Sequence, residues 1–302
     1  MSADAGHLPE LPPCPPPTVV ETRVGPVQLV DHGTGPPILA IHGAMGGYDQ
    51  SWYLARTLGT PGYRYIAVSR PGYLDTPLAG RTSPESQADL HAALLDALEL
   101  DRVAVLAVSG GGPSAIHLAA RYPDRCAALV LASTPGGPMR QRPPLSFHLM
   151  TVLLRWPGFV RRTRARLAAD FGPAAARSIR DPEIRARTLA DPVLRELFHG
   201  MTLSTFDRPA DRLAGTRADI RATRDARYPL DRITTPTLVI AGTDDPLLPF
   251  DEHGGVLAAG IAGARLHVAE GGEHVAIFTH RAEVRPAVAA FLAQRFPVSS
   301  AA

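Results

Sequence analysis

Apolar residues along this chain follow two alternating patterns. Short, mainly apolar runs, typical of buried parallel strands, occur at 37–41, 65–69, 103–108, 127–132, 236–241 and 264–269, the last of them with Arg265 and His267. Segments with helical spacing of apolar residues stand between or after them, beginning at Ser83 and covering 112–121 and about 281–294. This alternation predicts an α/β fold whose mostly parallel sheet is covered by helices on both faces.

The N-terminal part departs from this alternation. Two apolar segments at 18–24 and 27–31 are joined by Gly25-Pro26, which predicts a β-hairpin that opens the sheet. Residues 1–17 carry prolines at positions 9, 12, 13, 15, 16 and 17 and contain no apolar run. We expect a proline-rich flexible arm there, and the composition excludes a secretory signal.

A second departure lies in the middle of the chain. From 135 to 228 the pattern changes to arginine-rich segments of helical period that are interrupted by prolines. This change predicts a helical cap at 135–228, inserted into a core formed by 18–134 and 229–302.

The first cap segment, 145–156, leaves two interpretations open. Its apolar side chains either pack onto the core or line a substrate pocket. In the second case we expect the pocket to include Met45 of a glycine-rich loop and four cap residues, which are Phe147, Met150, Leu154 and Trp156.

Charge and composition add little to this organisation. The chain of 302 residues is 45% hydrophobic, enough for a large core, and its net charge is +2. Within 137–228 there are 18 arginines against 9 acidic residues. This excess either attracts anionic substrates, such as acyl-CoA or carboxylate-bearing ring-fission products, or is simply solvated.

The sequence predicts no disulfide, metal site, membrane span, cofactor or nucleic-acid partner. Cys14 lies in the arm and Cys126 opens an apolar run, so the pair predicts no disulfide and suits the reducing cytoplasm. No cysteine spacing predicts a metal site, no stretch is long and apolar enough to span a membrane, and no feature predicts a cofactor or nucleic-acid partner. The expected partner is a small-molecule substrate, and the sequence gives no oligomeric state.

The most informative stretch is the turn after the run at 103–108. Ser109 stands between that run and a helical segment, with Ala107 two positions before it and Gly111 two positions after. A tight strand-to-helix corner needs such small neighbours, and it exposes the serine hydroxyl at a helix N-terminus, where developing negative charge is stabilised. Taken alone, a serine among glycines is equally typical of a phosphate-binding loop, although no lysine follows it as in a Walker-type loop.

Two later strands end in the other groups that a nucleophilic serine requires. The run at 236–241 is followed by the adjacent carboxylates Asp244 and Asp245, and the run at 264–269 is followed by His274. Carboxyl ends of parallel strands lie at one edge of a sheet, so these side chains should meet there. A histidine can take the serine proton if a carboxylate orients it, but the residues alone do not choose between the two aspartates.

In this serine turn and in its serine–acid–histidine order, the chain resembles the α/β-hydrolase superfamily over about residues 18–296. The resemblance implies Ser109 as nucleophile, Asp245 as acid and His274 as base. It also implies an oxyanion hole formed by the backbone N–H groups of Ala44 and Gly110.

The chain departs from the family pattern at two points. Ala107 replaces the first glycine of Gly-x-Ser-x-Gly, and Asp75-Thr76-Pro77 replaces the Gly-x-Ser that often follows a sequence such as Arg70-Pro71-Gly72-Tyr73. Neither departure affects the three expected catalytic residues.

The resemblance implies a serine hydrolase that cleaves a carboxylic ester or related acyl bond. Two alternatives stay open, a carbon–carbon bond hydrolase on the same triad and a slow-turnover small-molecule sensor.

Overall fold

The structure is a computed structural model that describes residues 10–140 and 145–298. Parts of the expected arm (1–9), cap (141–144) and core (299–302) lie outside the described residues. Among the described residues, none of the helices combines the length and the hydropathy needed to cross a bilayer.

One sheet of eight strands forms the centre of the described chain. The strands are β1 (Thr18–Val20), β2 (Val27–His32), β3 (Pro37–Ile41), β4 (Arg64–Val68), β5 (Val103–Val108), β6 (Cys126–Ala132), β7 (Thr237–Gly242) and β8 (Arg265–Ala269). Their order is β1-β2-β4-β3-β5-β6-β7-β8. Strand β2 runs antiparallel to β1 and β4, and the other neighbours are parallel. The predicted hairpin and mostly parallel sheet are therefore confirmed.

Helices connect the strands and cover the sheet. They are α1 (Tyr48–Leu58), α2 (Pro84–Ala97), α3 (Gly112–Arg121), α4 (Leu145–Leu153), α5 (Pro157–Ala169), α6 (Gly172–Ser178), α7 (Pro182–Ala190), α8 (Pro192–Ser204), α9 (Leu213–Thr223), α10 (Gly254–Gly260), α11 (Ala276–Thr279) and α12 (Arg281–Arg295). The last of these corresponds to the helix expected near 281–294.

The core consists of two apolar layers, one on each face of the sheet. In β5, Ala104 and Leu106 pack into one layer while Val103 and Val105 pack into the other. Successive side chains of a strand point to opposite faces, so an unbroken apolar run is required where both faces are covered. Full burial of a Val or Leu side chain contributes roughly 1.5–3 kcal/mol. This packing fixes the ends of the strands, where the polar residues lie.

Helices α4 to α9 lie between β6 and β7 in the chain, within the segment assigned above to a cap. Two of them begin at Asp-Pro pairs. The Asp181 carboxylate caps α7 and the Asp191 carboxylate caps α8, each accepting hydrogen bonds from two backbone N–H groups. Helix α8 packs on the core through Phe198, whose ring stacks on Phe278 of α11 with centroids 5.0 Å apart.

The described part of the proline-rich segment before β1 contacts the core at its first residues. Residues 10–17 form neither helix nor strand, but side chains of α1 and α12 hold their first part against the core. The contacts are Trp52 Nε1 to Pro12 O (3.1 Å), Arg56 Nε to Leu11 O (3.1 Å), and Arg281 and Arg285 to the Glu10 carboxylate (2.7 and 2.9 Å). Proline has no backbone N–H to donate, but its carbonyl and those of its neighbours can still accept hydrogen bonds such as these.

Candidate active site

Ser109 lies at the sharp turn between β5 and α3. Its φ of 51° is in the left-handed region, which costs a residue with a side chain about 1–2 kcal/mol. Gly111 packs so closely behind it that a Cβ there would lie 2.5 Å from His42 O and 2.7 Å from Ile41 O. The glycine therefore allows a turn that presents the Ser109 side chain at the carboxyl edge of the sheet.

Three side chains from three strand ends meet at this edge. Ser109 Oγ lies 2.9 Å from His274 Nε2, and His274 Nδ1 lies 2.8 Å from Asp245 Oδ2. The other Asp245 oxygen accepts hydrogen bonds from the N–H groups of Leu247 and Leu248 at 2.9 and 3.0 Å. Because the carboxylate only accepts, it holds the proton on Nδ1 and leaves Nε2 free to accept the serine proton.

The neighbouring Asp244 faces elsewhere. Its side chain accepts a hydrogen bond from the Thr243 hydroxyl at 2.9 Å, and its backbone carbonyl accepts one from Arg180 Nη2 at 3.1 Å. Arg180 also forms an ion pair of 2.7 Å with Glu273, the residue before His274. Of the two adjacent carboxylates, the structure thus places Asp245 on the histidine.

The expected oxyanion donors lie beside the serine. A Cβ on Gly43 would be 3.1 Å from Ser109 Cβ, and a Cβ on Gly110 would be 3.3 Å from Ala44 N. Within the described chain, the Ala44 N–H has no hydrogen-bond acceptor. Gly110 stands in the first turn before α3, where backbone N–H groups lack intrahelical partners. The arrangement offers two N–H donors close to the Ser109 side chain.

His42 supports this loop from inside the core. Its Nδ1 donates to Gly43 O at 2.6 Å, and its Nε2 accepts the Arg70 backbone N–H at 2.9 Å. Burial, with the nearby positive charge of Arg70, holds the pKa of His42 well below its ordinary value. The imidazole is therefore neutral, and its two hydrogen bonds support the loop.

Arg70 and Asp219 form a buried ion pair behind the same loop, with Nη2 and Oδ2 2.6 Å apart. Burial alone would lower the pKa of Arg70, but the Asp219 carboxylate and Tyr73 outweigh it and raise that pKa. Sequence analysis missed this pair, since Asp219 is one acid in an arginine-rich segment. The only sequence signal is Arg70 at the end of a buried strand.

A cavity of about 300 Å³ opens beside Ser109 and His274. Most of its other lining side chains are apolar and one is an uncharged amide; they are Ala44, Gln50, Leu54, Val108, Met201, Leu247, Val275, Ile277 and Phe278. Met201 belongs to α8, so the segment assigned to the cap contributes to the wall.

The five residues predicted to line a pocket do not line this cavity. Met150 and Trp156 are 40% and 67% exposed, Leu154 is buried, and Phe147 packs beside the His148 ring. The backbone N–H of Met45 donates to Thr216 Oγ1 at 3.1 Å, but the side chain of Met45 is not part of the wall. Helical spacing identifies apolar positions, but the packing of the helix decides which of them face a cavity.

Comparison with known proteins gives a consistent picture. A family model described as alpha/beta hydrolase fold matches residues 36–281. The chain is 29% identical to 2-hydroxymuconate semialdehyde hydrolase from Pseudomonas sp. (strain CF600), covering 88% of this chain and 90% of that protein. It is also 29% identical to pimeloyl-[acyl-carrier protein] methyl ester esterase from Neisseria meningitidis, covering 71% and 77%.

The fold is likewise similar to that of solved structures. An alpha/beta hydrolase fold protein from Nakamurella multipartita matches with a TM-score of 0.72 and 34% sequence identity. That match covers 91% of this chain and 97% of the other.

Proposed function

The chain belongs to the α/β-hydrolase fold family, and we propose that it is a serine hydrolase that cleaves an ester or related acyl bond of a small, largely apolar substrate. The observation that supports this most is the continuous set of hydrogen bonds from Ser109 through His274 to Asp245, which opens into an apolar cavity. We also propose that 135–228 acts as a cap that contributes to substrate choice through Met201.

The reaction follows from the roles of these groups. His274 Nε2 takes the Ser109 proton as Oγ attacks the substrate carbonyl, and Asp245 stabilises the resulting imidazolium. The N–H groups of Ala44 and Gly110 stabilise the negative oxygen, and one such donor is worth roughly 10²–10³ in kcat. His274 then protonates the leaving alcohol. Water releases the acyl group from Ser109 with His274 again acting as base.

The cavity wall favours a neutral acyl group. Among the described residues that line it, none is arginine, aspartate or glutamate, and the only titratable group is His274 of the proposed triad. A substrate carboxylate would lose its hydration there without gaining a cationic partner, which is costly. An apolar chain instead gains about 0.8 kcal/mol for each buried methylene.

A carbon–carbon bond hydrolase is the second candidate. It is supported by the similarity over most of the chain to 2-hydroxymuconate semialdehyde hydrolase, whose named substrate carries a carboxylate. The absence of a cation from the described cavity wall argues against such a substrate in this chain. The two candidates therefore differ in the charge of the preferred substrate.

The test measures hydrolysis of p-nitrophenyl esters from acetate to dodecanoate, together with labelling by a fluorophosphonate probe. Ser109→Ala should lose both while keeping the wild-type Tm, because only one half-buried hydroxyl is removed and the backbone of the turn is unchanged. Ser114→Ala is the matched control, since the hydroxyl of Ser114 in α3 is fully buried, donates to Gly111 O before the helix and should not be labelled in the wild type. Absence of ester hydrolysis and labelling in the wild type, or labelling of Ser109→Ala, contradicts the proposal. Faster hydrolysis of an anionic dienoate than of any ester would favour the second candidate.

A further inference from the structure

Arg70, which is only 1% exposed, holds the loop that carries Ala44 from behind. Its Nε donates to His42 O at 3.0 Å and its Nη2 donates to Gly43 O at 3.1 Å. Its backbone N–H also donates to the imidazole of His42. Arg70 therefore binds two successive carbonyls of the loop and the side chain of its first residue.

These bonds determine where the Ala44 N–H points. The peptide bond is planar and trans, so the Gly43 carbonyl and the Ala44 N–H point in opposite directions. Gly43 O accepts hydrogen bonds from both Arg70 Nη2 and His42 Nδ1. Fixing this carbonyl toward Arg70 directs the Ala44 N–H to the other side of the loop.

The position of Arg70 is in turn set by the segment assigned to the cap. Asp219 of α9 binds it with both oxygens, Nη1 to Oδ1 at 2.9 Å and Nη2 to Oδ2 at 2.6 Å. The Tyr73 hydroxyl donates to the same carboxylate. A bidentate pair fixes the plane of the guanidinium as well as its place. One turn earlier on α9, Thr216 Oγ1 accepts the Met45 N–H.

We propose that Asp219 is a positioning residue for the oxyanion hole, holding Arg70 so that the Ala44 N–H faces the reacting oxygen; this rests on the proposed function. Docking of α9 and formation of the oxyanion hole are then one event. A merely structural ion pair would attach the cap to the core without affecting the loop.

The chain contains a matched control for that distinction. Arg212 and Asp49 also form a buried pair between the cap segment and the core, at 2.6 Å with side chains 1% and 14% exposed. The described hydrogen bonds of the Arg212 guanidinium go to Asp49 and to Asp207 O, and not to residues 42–44. Asp49→Asn therefore weakens cap attachment but leaves the loop supported.

The experiment compares Asp219→Asn and Asp49→Asn with the wild type by ester kinetics, Tm and hydrogen–deuterium exchange of the peptide covering 42–46. Asp219→Asn should lower kcat about 10- to 100-fold, part of the loss for a missing oxyanion donor, with KM nearly unchanged. Exchange in the 42–46 peptide should accelerate in this variant alone. Both variants should lower Tm.

Unchanged kcat and exchange in a folded Asp219→Asn protein, or equal effects in Asp49→Asn, would overturn the inference. If Asp219→Asn does not fold, Tyr73→Phe removes one donor to the Asp219 carboxylate and tests the same pair more mildly, with a smaller fall in kcat and faster exchange of the same peptide. Unchanged kcat and exchange in that variant would also overturn it. A wild type that hydrolyses no ester refutes the proposed function, whereas exchange reports on the loop independently of activity.

Discussion

The Asp245 carboxylate accepts a hydrogen bond from His274 Nδ1 over 2.8 Å, although the adjacent Asp244 is equally acidic. Asp245 is buried, and two backbone N–H groups hold its second oxygen. Asp244 is exposed and bonds to Thr243. The two neighbouring carboxylates thus have different surroundings, and substituting each in turn separates them.

Asp245→Asn should lower kcat for ester hydrolysis by about 10⁴-fold, the size of loss seen for this change in another serine hydrolase fold. The amide favours the wrong tautomer of His274 and cannot stabilise its charged form. Asp244→Asn, which keeps the side-chain volume, should stay within about twofold of wild type. Steady-state kinetics of both variants on one p-nitrophenyl ester tests this prediction. Equal losses of kcat in the two variants would refute Asp245 as the acid.

Substrate size should depend on Met201 and not on Met150. Met201→Ala enlarges the cavity and should shift the preferred acyl chain to a longer one, changing the ratio of kcat/KM between neighbouring esters about tenfold or more. Met150→Ala makes the same chemical change at a side chain that is 40% exposed and should leave the profile unchanged. The ester panel measures both. A change of preferred acyl chain length in Met150→Ala, with none in Met201→Ala, would show that α4 and not α8 lines the substrate pocket.

Acid should destabilise the protein through His91. Burial lowers the pKa of this imidazole to about 3. Above about pH 6.5, His91 is neutral in both the folded and the unfolded protein. Below that pH, the His91 imidazole binds a proton in the unfolded chain but stays neutral in the folded protein. The free energy of unfolding therefore falls by about 1.4 kcal/mol per pH unit from this group as pH drops from 6.5 toward 3.

His91→Leu removes that contribution. We expect the slope of unfolding free energy against pH, measured by urea unfolding between pH 6.5 and 4, to fall by about 1.4 kcal/mol per pH unit. This change corresponds to one proton fewer taken up on unfolding. Ser114 keeps its bond to Gly111 O in this variant. His148→Leu is the control because His148 is exposed and hydrated in both states. Identical slopes in His91→Leu and wild type would show that His91 is not the group responsible.

The sequence predicted the sheet well because burial on both faces leaves an unmistakable pattern in strands such as β5. It also pointed to Ser109 and His274, since strand ends are fixed by the same runs, whereas the choice of Asp245 over Asp244 came from the family resemblance alone; the structure brings these three side chains within hydrogen-bond distance. Family membership and fold class are confirmed by the comparisons. The catalytic roles stay predictions.

Contacts between distant segments were less predictable. The apolar positions of α4 did not reveal that Trp156, just beyond its end, is mostly exposed, whereas Met201 of α8 lines the cavity. Asp219 pairs with Arg70 from 149 positions away, and no local pattern marks such a pair. The carboxylate of Glu10, in the proline-rich segment, binds two arginines of α12, and no local pattern marks these contacts either. The spacing of apolar residues indicates which face of a helix or strand is buried. It carries no information about ion pairs between residues that are distant in the sequence.

The pairing of Asp219 with Arg70 also limits how this protein can be recombined with its relatives. An inserted segment is often regarded as a module that evolution or an engineer can exchange while the sheet stays the same. A replacement for 135–228 without a carboxylate at this point would leave the Arg70 guanidinium buried and unpaired, at a cost of about 3–5 kcal/mol. Chimeras of this chain should therefore carry α9 together with Arg70 and the loop at 42–45, as one inherited unit.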